Sequence, residues 1–151
     1  MIKLNKITDY AVVILGLLYS RSPNKFSTSK ISTETGLQIP TVAKVCKLLN
    51  NANLINAGRG ASGGYFCETQ PSEINVASIV EAIDGPIAIT ACLEESEDLC
   101  ETQSICLLSG NWNKANTAVY DALESVSLSD LLNPEDFFNY KKESDTSILH
   151  T

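Results

Sequence analysis

The sequence predicts a mainly α-helical fold with one small β-hairpin and, toward the C-terminus, a long helix suited to pairing. Three observations lead there. Apolar residues recur at helical steps of three and four, start and stop residues bracket those stretches, and a glycine cluster at 58–64 sits between two short strand-like runs. With 151 residues, 44% of them hydrophobic, the chain can fill one compact domain and an appendage but not a two-domain enzyme.

Taken in order, Ile7, Ala11, Ile14 and Leu18 share one face of a helix from about Lys6 to Tyr19. After a loop with Pro23 and Asn24, Ser27 or Thr28 can cap a short second helix through about Thr35, which Gly36 ends by tolerating positive φ. Pro40 suits the first turn of a third helix, because its missing N–H would have no partner there anyway; that helix runs to about Asn51. Leu54 to Ala57 and Tyr65 to Cys67 then read as a hairpin around the tip Gly58-Arg59-Gly60-Ala61-Ser62-Gly63-Gly64. Ser72 can cap a fourth helix that turns Val76, Ile79, Val80 and Ile83 inward and stops at Asp84-Gly85-Pro86. Residues 91–109 follow as an acidic stretch without a period. A long helix is expected from near Leu108, with Trp112, Ala115, Val119, Ala122 and Val126 forming a narrow seam of the kind that pairs helices. The seam covers barely two heptads and also fits packing onto its own domain. Ser127 and Asp130 make a capping box for a short helix through Leu132, and disorder is expected from about Tyr140.

The third helix divides by face. Val42, Val45, Cys46 and Leu49 are apolar, while Thr41, Lys44, Lys47 and Asn51 form a polar face whose only charges are positive. Two helices joined by a turn at Gly36, the second basic on its outer side, have the layout of a helix-turn-helix reader of DNA. Four glycines around Arg59 suit a wing lying against a phosphate backbone or entering a minor groove. The fold class is therefore a winged helix-turn-helix plus a long C-terminal helix whose seam suits dimerisation. Four parts follow: residues 1–88 as the DNA-binding domain, 89–107 as a cysteine-bearing loop, 108–132 as the dimerisation helix and short terminal helix, and 133–151 as a partly disordered tail. Candidate DNA contacts are Gln38, Thr41, Lys44 and Lys47 from the helix and Arg59, Gly60, Ser62 and Gly63 from the wing.

The formal charge of −7 looks wrong for such a partner until the chain is split at residue 70. Residues 1–70 hold eight bases against three acids, a net +5, whereas residues 71–151 hold three bases against fifteen acids, a net −12. One half can meet a polyanion while like charge keeps the other half away. No small-residue cleavage site follows Lys3 and Lys6, and the apolar run Ala11 to Tyr19 is too short to span a bilayer, so a cytoplasmic protein with no membrane partner is expected.

Five cysteines without a secretion signal argue against a disulfide framework and for metal binding or redox sensing. Cys92, Cys100 and Cys106 lie in one stretch, separated by seven and five residues. Zinc sites favour closer cysteine pairs and often histidine, yet the single histidine is His150 in the tail. Three soft thiolates gathered between helices suit an iron–sulfur cluster with one position left for another ligand; free thiols or a thiol–disulfide switch fit the same spacing. Cys46 reads as a small buried hydrophobe, and Cys67 ends a wing strand without an evident partner. No nucleophile motif, phosphate loop or histidine-based acid–base pair is present, so the chain reads as a non-enzyme.

With Thr8-Asp9-Tyr10-Ala11, Pro40-Thr41-Val42-Ala43-Lys44-Val45, Arg59-Gly60-Ala61-Ser62-Gly63-Gly64-Tyr65 and the three cysteines in order, the chain resembles the BadM/Rrf-type winged-helix transcription regulators over about residues 1–132. That family includes the iron–sulfur and nitric-oxide sensing regulators IscR, NsrR and RirA; the third-helix and wing sequences look most like the subgroup regulating SUF iron–sulfur assembly. The resemblance implies a homodimer with crossed C-terminal helices, a cluster near the interface, the third helix in the major groove of promoter DNA, and repression or promoter switching by cluster state. It matches Cys92, Cys100 and Cys106 to cluster cysteines and Arg59 to the wing arginine. Asp9 matches the position from which some relatives supply a carboxylate across the dimer.

Two departures bear on the cluster. Relatives with a histidine ligand carry it where this chain has Ser109, and the first cysteine gap is two residues longer here. The fourth ligand is thus open, in the order Asp9 of the other chain, solvent or a small thiol, a loop acid such as Glu94 or Glu101, and Ser109; a 2Fe-2S and a 4Fe-4S form both stand. Two other readings remain beside the cluster-dependent repressor of iron–sulfur assembly genes. One is a cluster-free family member controlled by a protein partner or thiol redox; the other is a small iron–sulfur carrier that does not use DNA.

Overall fold

The computed structural model describes residues 3–90, 93, 106–108 and 110–133. Its elements are α1 (Lys6–Ser20), α2 (Thr28–Thr35), α3 (Ile39–Asn51), β1 (Asn56–Gly58), β2 (Gly64–Phe66), a 3₁₀ turn (Pro71–Glu73), α4 (Val76–Asp84), α5 (Asn113–Glu124) and α6 (Leu128–Leu131). The order is that of a winged helix, mainly α with a two-stranded antiparallel hairpin.

Helices α1, α2 and α4 begin where a side chain satisfies an orphan amide. Asn5 accepts from the Ile7 N–H at 3.1 Å, Ser27 from Lys30 at 3.2 Å, and Asn75 from Ser78 at 2.8 Å. Ser27 rather than Thr28 is therefore the cap of α2, and Gly36, at φ 76°, ends that helix in the left-handed region open to glycine. Ser72 does not cap α4. It lies inside the 3₁₀ turn, whose first amide, at Gln70, donates to the Glu73 carboxylate at 3.3 Å, and the helix starts three residues later on Asn75.

The core lies between α1, α3 and α4, with Ile31 of α2 and Phe26, Ile55 and Cys67 from the wing side. Ala11, Ile14, Leu15 and Leu18 of α1 face Val42, Val45, Cys46 and Leu49 of α3 across it, all fully buried. Burying each such aliphatic side chain contributes roughly 1.5–3 kcal/mol. The chain returns to this core after α5: the Val76 N–H donates to the Val126 carbonyl at 2.9 Å and the Leu128 N–H to Ile74 at 2.7 Å, which seats Leu128 in the cluster. Leu132 then covers Gly16 of α1, where a Cβ would lie 3.0 Å from a leucine methyl.

The last long helix is shorter than the seam predicts. It spans twelve residues from Asn113, preceded by a turn at Gly110 with φ 80°, and Trp112 stands before its first turn, 45% exposed. Val119 and Val126 are half-buried, whereas Ala122 is exposed, and the helix packs against α4. Of the tail expected over 133–151, residues 134–151 lie outside the described residues. Among those residues no helix is long and apolar enough to cross a membrane.

Candidate nucleic-acid interface and cysteine segment

The turn before α3 is tied by side chains of α2. Thr35 donates to the Ile31 carbonyl at 2.7 Å and accepts from the Leu37 N–H at 3.3 Å, and Ser32 donates to the Leu37 carbonyl. These bonds fix the angle at which α3 leaves the turn. Gln38 occupies the N-cap position but its side chain makes no cap bond, so the exposed amide is available at the helix start. Lys44 and Lys47 are exposed and Thr41 is half-buried, opposite the fully buried row Val42, Val45, Cys46 and Leu49. One face of α3 is thereby consumed by the core and the other presents donors and positive charge.

Asn53, at φ 59°, turns the chain out of α3 toward the wing. There Asn56 pairs with Phe66, Ala57 with Tyr65 and Gly58 with Gly64. A further short pairing joins the hairpin to the loop before α2: the Phe26 N–H donates to the Tyr65 carbonyl at 2.9 Å and the Tyr65 N–H donates to the Phe26 carbonyl at 2.8 Å. The wing is anchored to the reader by backbone hydrogen bonds.

The glycines of the tip differ in what they do. Gly60 needs its φ of 88°, with open space around it. At Gly63 a Cβ would fall 2.6 Å from the Gly58 carbonyl oxygen, and at Gly64 it would fall 2.8 Å from the Phe26 backbone. At these two positions the close approach is to the protein's own backbone. Arg59 and Ser62 are exposed at the tip, and Gly63 is half-buried.

The cysteines separate into two kinds. Cys46 is fully buried in α3, and burial pushes its thiol up to about 12. Cys67, also buried, is raised chiefly by burial, and its thiol donates to the carbonyls of Leu54 and Thr69 at 3.6 and 3.4 Å, so it has partners that the sequence does not suggest. Neither is poised to ionise. Cys106 is half-exposed and free, while Cys92 and Cys100, with Glu94, Glu101 and Ser109, lie outside the described residues. Among the described residues no three His, Cys, Asp or Glu side chains gather into a metal-holding group. Asp9 is exposed in the first turn of α1.

The approach to the cysteine segment is held by a residue that the sequence reading passes over. Asn116, buried on α5, donates to the Ile87 carbonyl at 2.9 Å and accepts from the Ile89 N–H at 3.1 Å. An amide beside the apolar seam is the available signal: it offers a donor and an acceptor to the backbone of the passing segment. Nearby, Leu4, Val80, Ile87, Val119 and Leu123, with Lys3 and Asp84, line a groove of about 610 Å³ of mixed polarity between α4, residues 85–89 and α5.

The Rrf2 family model, described as an iron-dependent transcriptional regulator, matches residues 4–134. The HTH-type transcriptional regulator NsrR of Bacillus subtilis is 28% identical over 142 residues, covering 93% of this chain and 97% of that protein. IscR of Pectobacterium atrosepticum is 25% identical over 121 residues, covering 80% of this chain and 73% of its own. Among solved structures, CymR, the global cysteine regulator of B. subtilis, superposes with a TM-score of 0.63 at 26% identity, covering 87% of this chain and 96% of CymR. IscR of T. potens gives 0.57 at 25%, covering 87% and 86%. The chain belongs to the Rrf2 family of winged-helix, DNA-binding transcriptional regulators.

Proposed function

We propose that this regulator is a homodimer controlled by an iron–sulfur cluster and represses genes of iron–sulfur cluster assembly. In this reading residues 1–88 bind promoter DNA, 89–107 hold the cluster, 108–132 pair the two subunits and 133–151 form a tail. Gln38 and Thr41 of α3 read base edges in the major groove, Lys44 and Lys47 meet phosphates, and Arg59, with Gly60, Ser62 and Gly63, lies along the minor groove. The observation that carries DNA binding is the division of α3 into a buried row and a cationic row, with the wing fastened beside it at Phe26 and Tyr65.

The donor set fits the cluster. Three thiols fall within fifteen residues of one another in an acidic segment, whereas the chain's other two are buried and raised in pKa. Cys92, Cys100 and Cys106 would hold the group, with the Asp9 carboxylate of the partner subunit as the preferred fourth ligand, in either a 2Fe-2S or a 4Fe-4S form. When bound, the cluster supplies a centre sensitive to iron and oxidants. Asn116 binds the backbone that leads into its first ligand, and the groove between α4 and α5 offers surface for subunit pairing.

Anaerobic purification with visible absorbance and iron and sulfide counts tests this, followed by promoter binding before and after cluster removal. A brown protein whose DNA affinity changes on cluster loss is expected; equal affinity in both states would end the sensing reading. The likeness to CymR favours a second reading, a cluster-free regulator working through thiols or a protein partner. Intact regulation by a Cys92→Ala, Cys100→Ala, Cys106→Ala variant would decide for it.

A further inference from the structure

We propose that Lys25 and Lys30, each held over a phenylalanine ring at the base of the wing, form with Arg59 a clamp for the phosphate backbone of duplex DNA. The inference rests on the DNA-binding reading above and adds two contacts that α3 and the wing tip do not contain. The Lys25 Nζ lies 5.2 Å from the centre of the Phe66 ring, and the Lys30 Nζ lies 4.5 Å from the centre of the Phe26 ring. Both rings belong to one hydrogen-bonded unit, since Phe26 pairs with Tyr65, the neighbour of Phe66. Lys25 also lies along Gly58, the residue before Arg59, where a Cβ would stand 3.0 Å from its Nζ, so a side chain at 58 would displace the ammonium group.

The charge within this unit has one sign, while Glu34, one turn beyond Lys30 on α2, and Glu68, two residues beyond Phe66, lie just outside it. Residues 21–30 and 56–66 carry Arg21, Lys25, Lys30 and Arg59 and no carboxylate. A local excess of like charge favours the approach of an anion. Ring contacts hold both lysine heads in place before binding, which lowers the side-chain entropy lost when a phosphate is gripped. A merely structural role for the two side chains, their stems covering aromatic surface, would alter stability and leave salt dependence untouched.

The test uses the full-length protein and a fluorescein-labelled 30-base-pair duplex of mixed sequence, titrated by anisotropy over a range of KCl concentrations. Each of Lys25→Gln and Lys30→Gln is expected to reduce the slope of log K against log salt by about 0.9 per protomer, and the double variant by about twice that. Lys114→Gln, an equal charge change on α5, should leave the slope as in the wild type. Phe66→Leu should keep the slope but weaken binding severalfold, because the charge remains and its positioning is lost. A double variant with wild-type slope and affinity overturns the clamp, and so does a Lys114→Gln variant that loses as much. A Phe66→Leu protein of unchanged affinity overturns the role of the rings. Wild-type protein that fails to bind the duplex at any salt would instead remove the DNA-binding reading itself.

Discussion

The part of the molecule before residue 90 and the part after it are held together in different ways. Of the fifteen residues in the core cluster of the described chain, fourteen precede residue 80 and one, Leu128, comes after α5. The first part fixes its reading surface by burying apolar rows, by side-chain caps and by the Phe26–Tyr65 pairing. The second part is acidic, and beside the packing of α5 on α4 and of Leu132 on Gly16 it is tied to the first by specific hydrogen bonds: Asn116 on the 87–89 backbone, Val126 on Val76, Leu128 on Ile74. A reader of DNA gains from rigidity, because donors held in register lose little entropy on binding. In the cluster reading proposed above, the second part would gain stability from thiolate ligation as well as from packing.

The contrast can be broken most directly at Leu128. Its side chain is fully buried, so Leu128→Ala should cost about 2–5 kcal/mol in denaturant unfolding, as Leu15→Ala in α1 should. A loss under about 1 kcal/mol at Leu128 alone would show that the return of the chain is not part of the reader's core. The next largest effect is expected at Asn116. Replacing it with Ala leaves the Ile89 N–H and the Ile87 carbonyl without their partner and should cost about 1–3 kcal/mol, with faster amide exchange at Ile89. Unchanged exchange there would mean that α5 does not hold the approach to Cys92.

A smaller effect concerns the cap of α6. The Ser127 N–H and hydroxyl both donate to the Asp130 carboxylate at 2.8 Å and lower its pKa. A depressed carboxylate contributes its stability above the ordinary value, about 4, and loses it as pH falls through the lower folded value. The Ser127 amide resonance should therefore titrate with a midpoint below that of a free aspartate, and the step should vanish in Asp130→Asn. The smallest change is expected at Thr8, whose hydroxyl is buried in α1 with no hydrogen-bond partner among the described residues. Thr8→Val keeps the shape and removes the unmet group, so the melting temperature should stay level or rise. A clear loss of stability would indicate that the hydroxyl has a partner in the working protein.

Much of the reader was legible in the sequence because its signals are local. Ser27 and Gly36 mark α2 by what one hydroxyl and one missing Cβ can do, and the two faces of α3 follow from its 3.6-residue period. Other features were misplaced where two local signals compete. Ser72 and Asn75 are both good caps; the 3₁₀ turn at Pro71 takes the first, and the backbone pairing of residues 74–76 with 126–128 sets the second as the helix start. The seam of α5 extends in sequence to Trp112 and beyond, yet Gly110 turns the chain and the helix begins at Asn113. The partners of Cys67 were hidden because a thiol's acceptors can be distant carbonyls, here that of Leu54.

By itself the sequence determined the helices, the winged order, the basic outer row of α3 and the grouping of three cysteines, since periodicity, caps and charge are written in neighbouring residues. Only the tertiary structure decided that Phe26 fastens the wing, that Lys25 and Lys30 rest on its rings, that Asn116 holds residues 87–89, and that Leu128 closes the core. Those contacts join residues far apart in the chain, and their partners are selected by the packing of the whole domain rather than by any local preference.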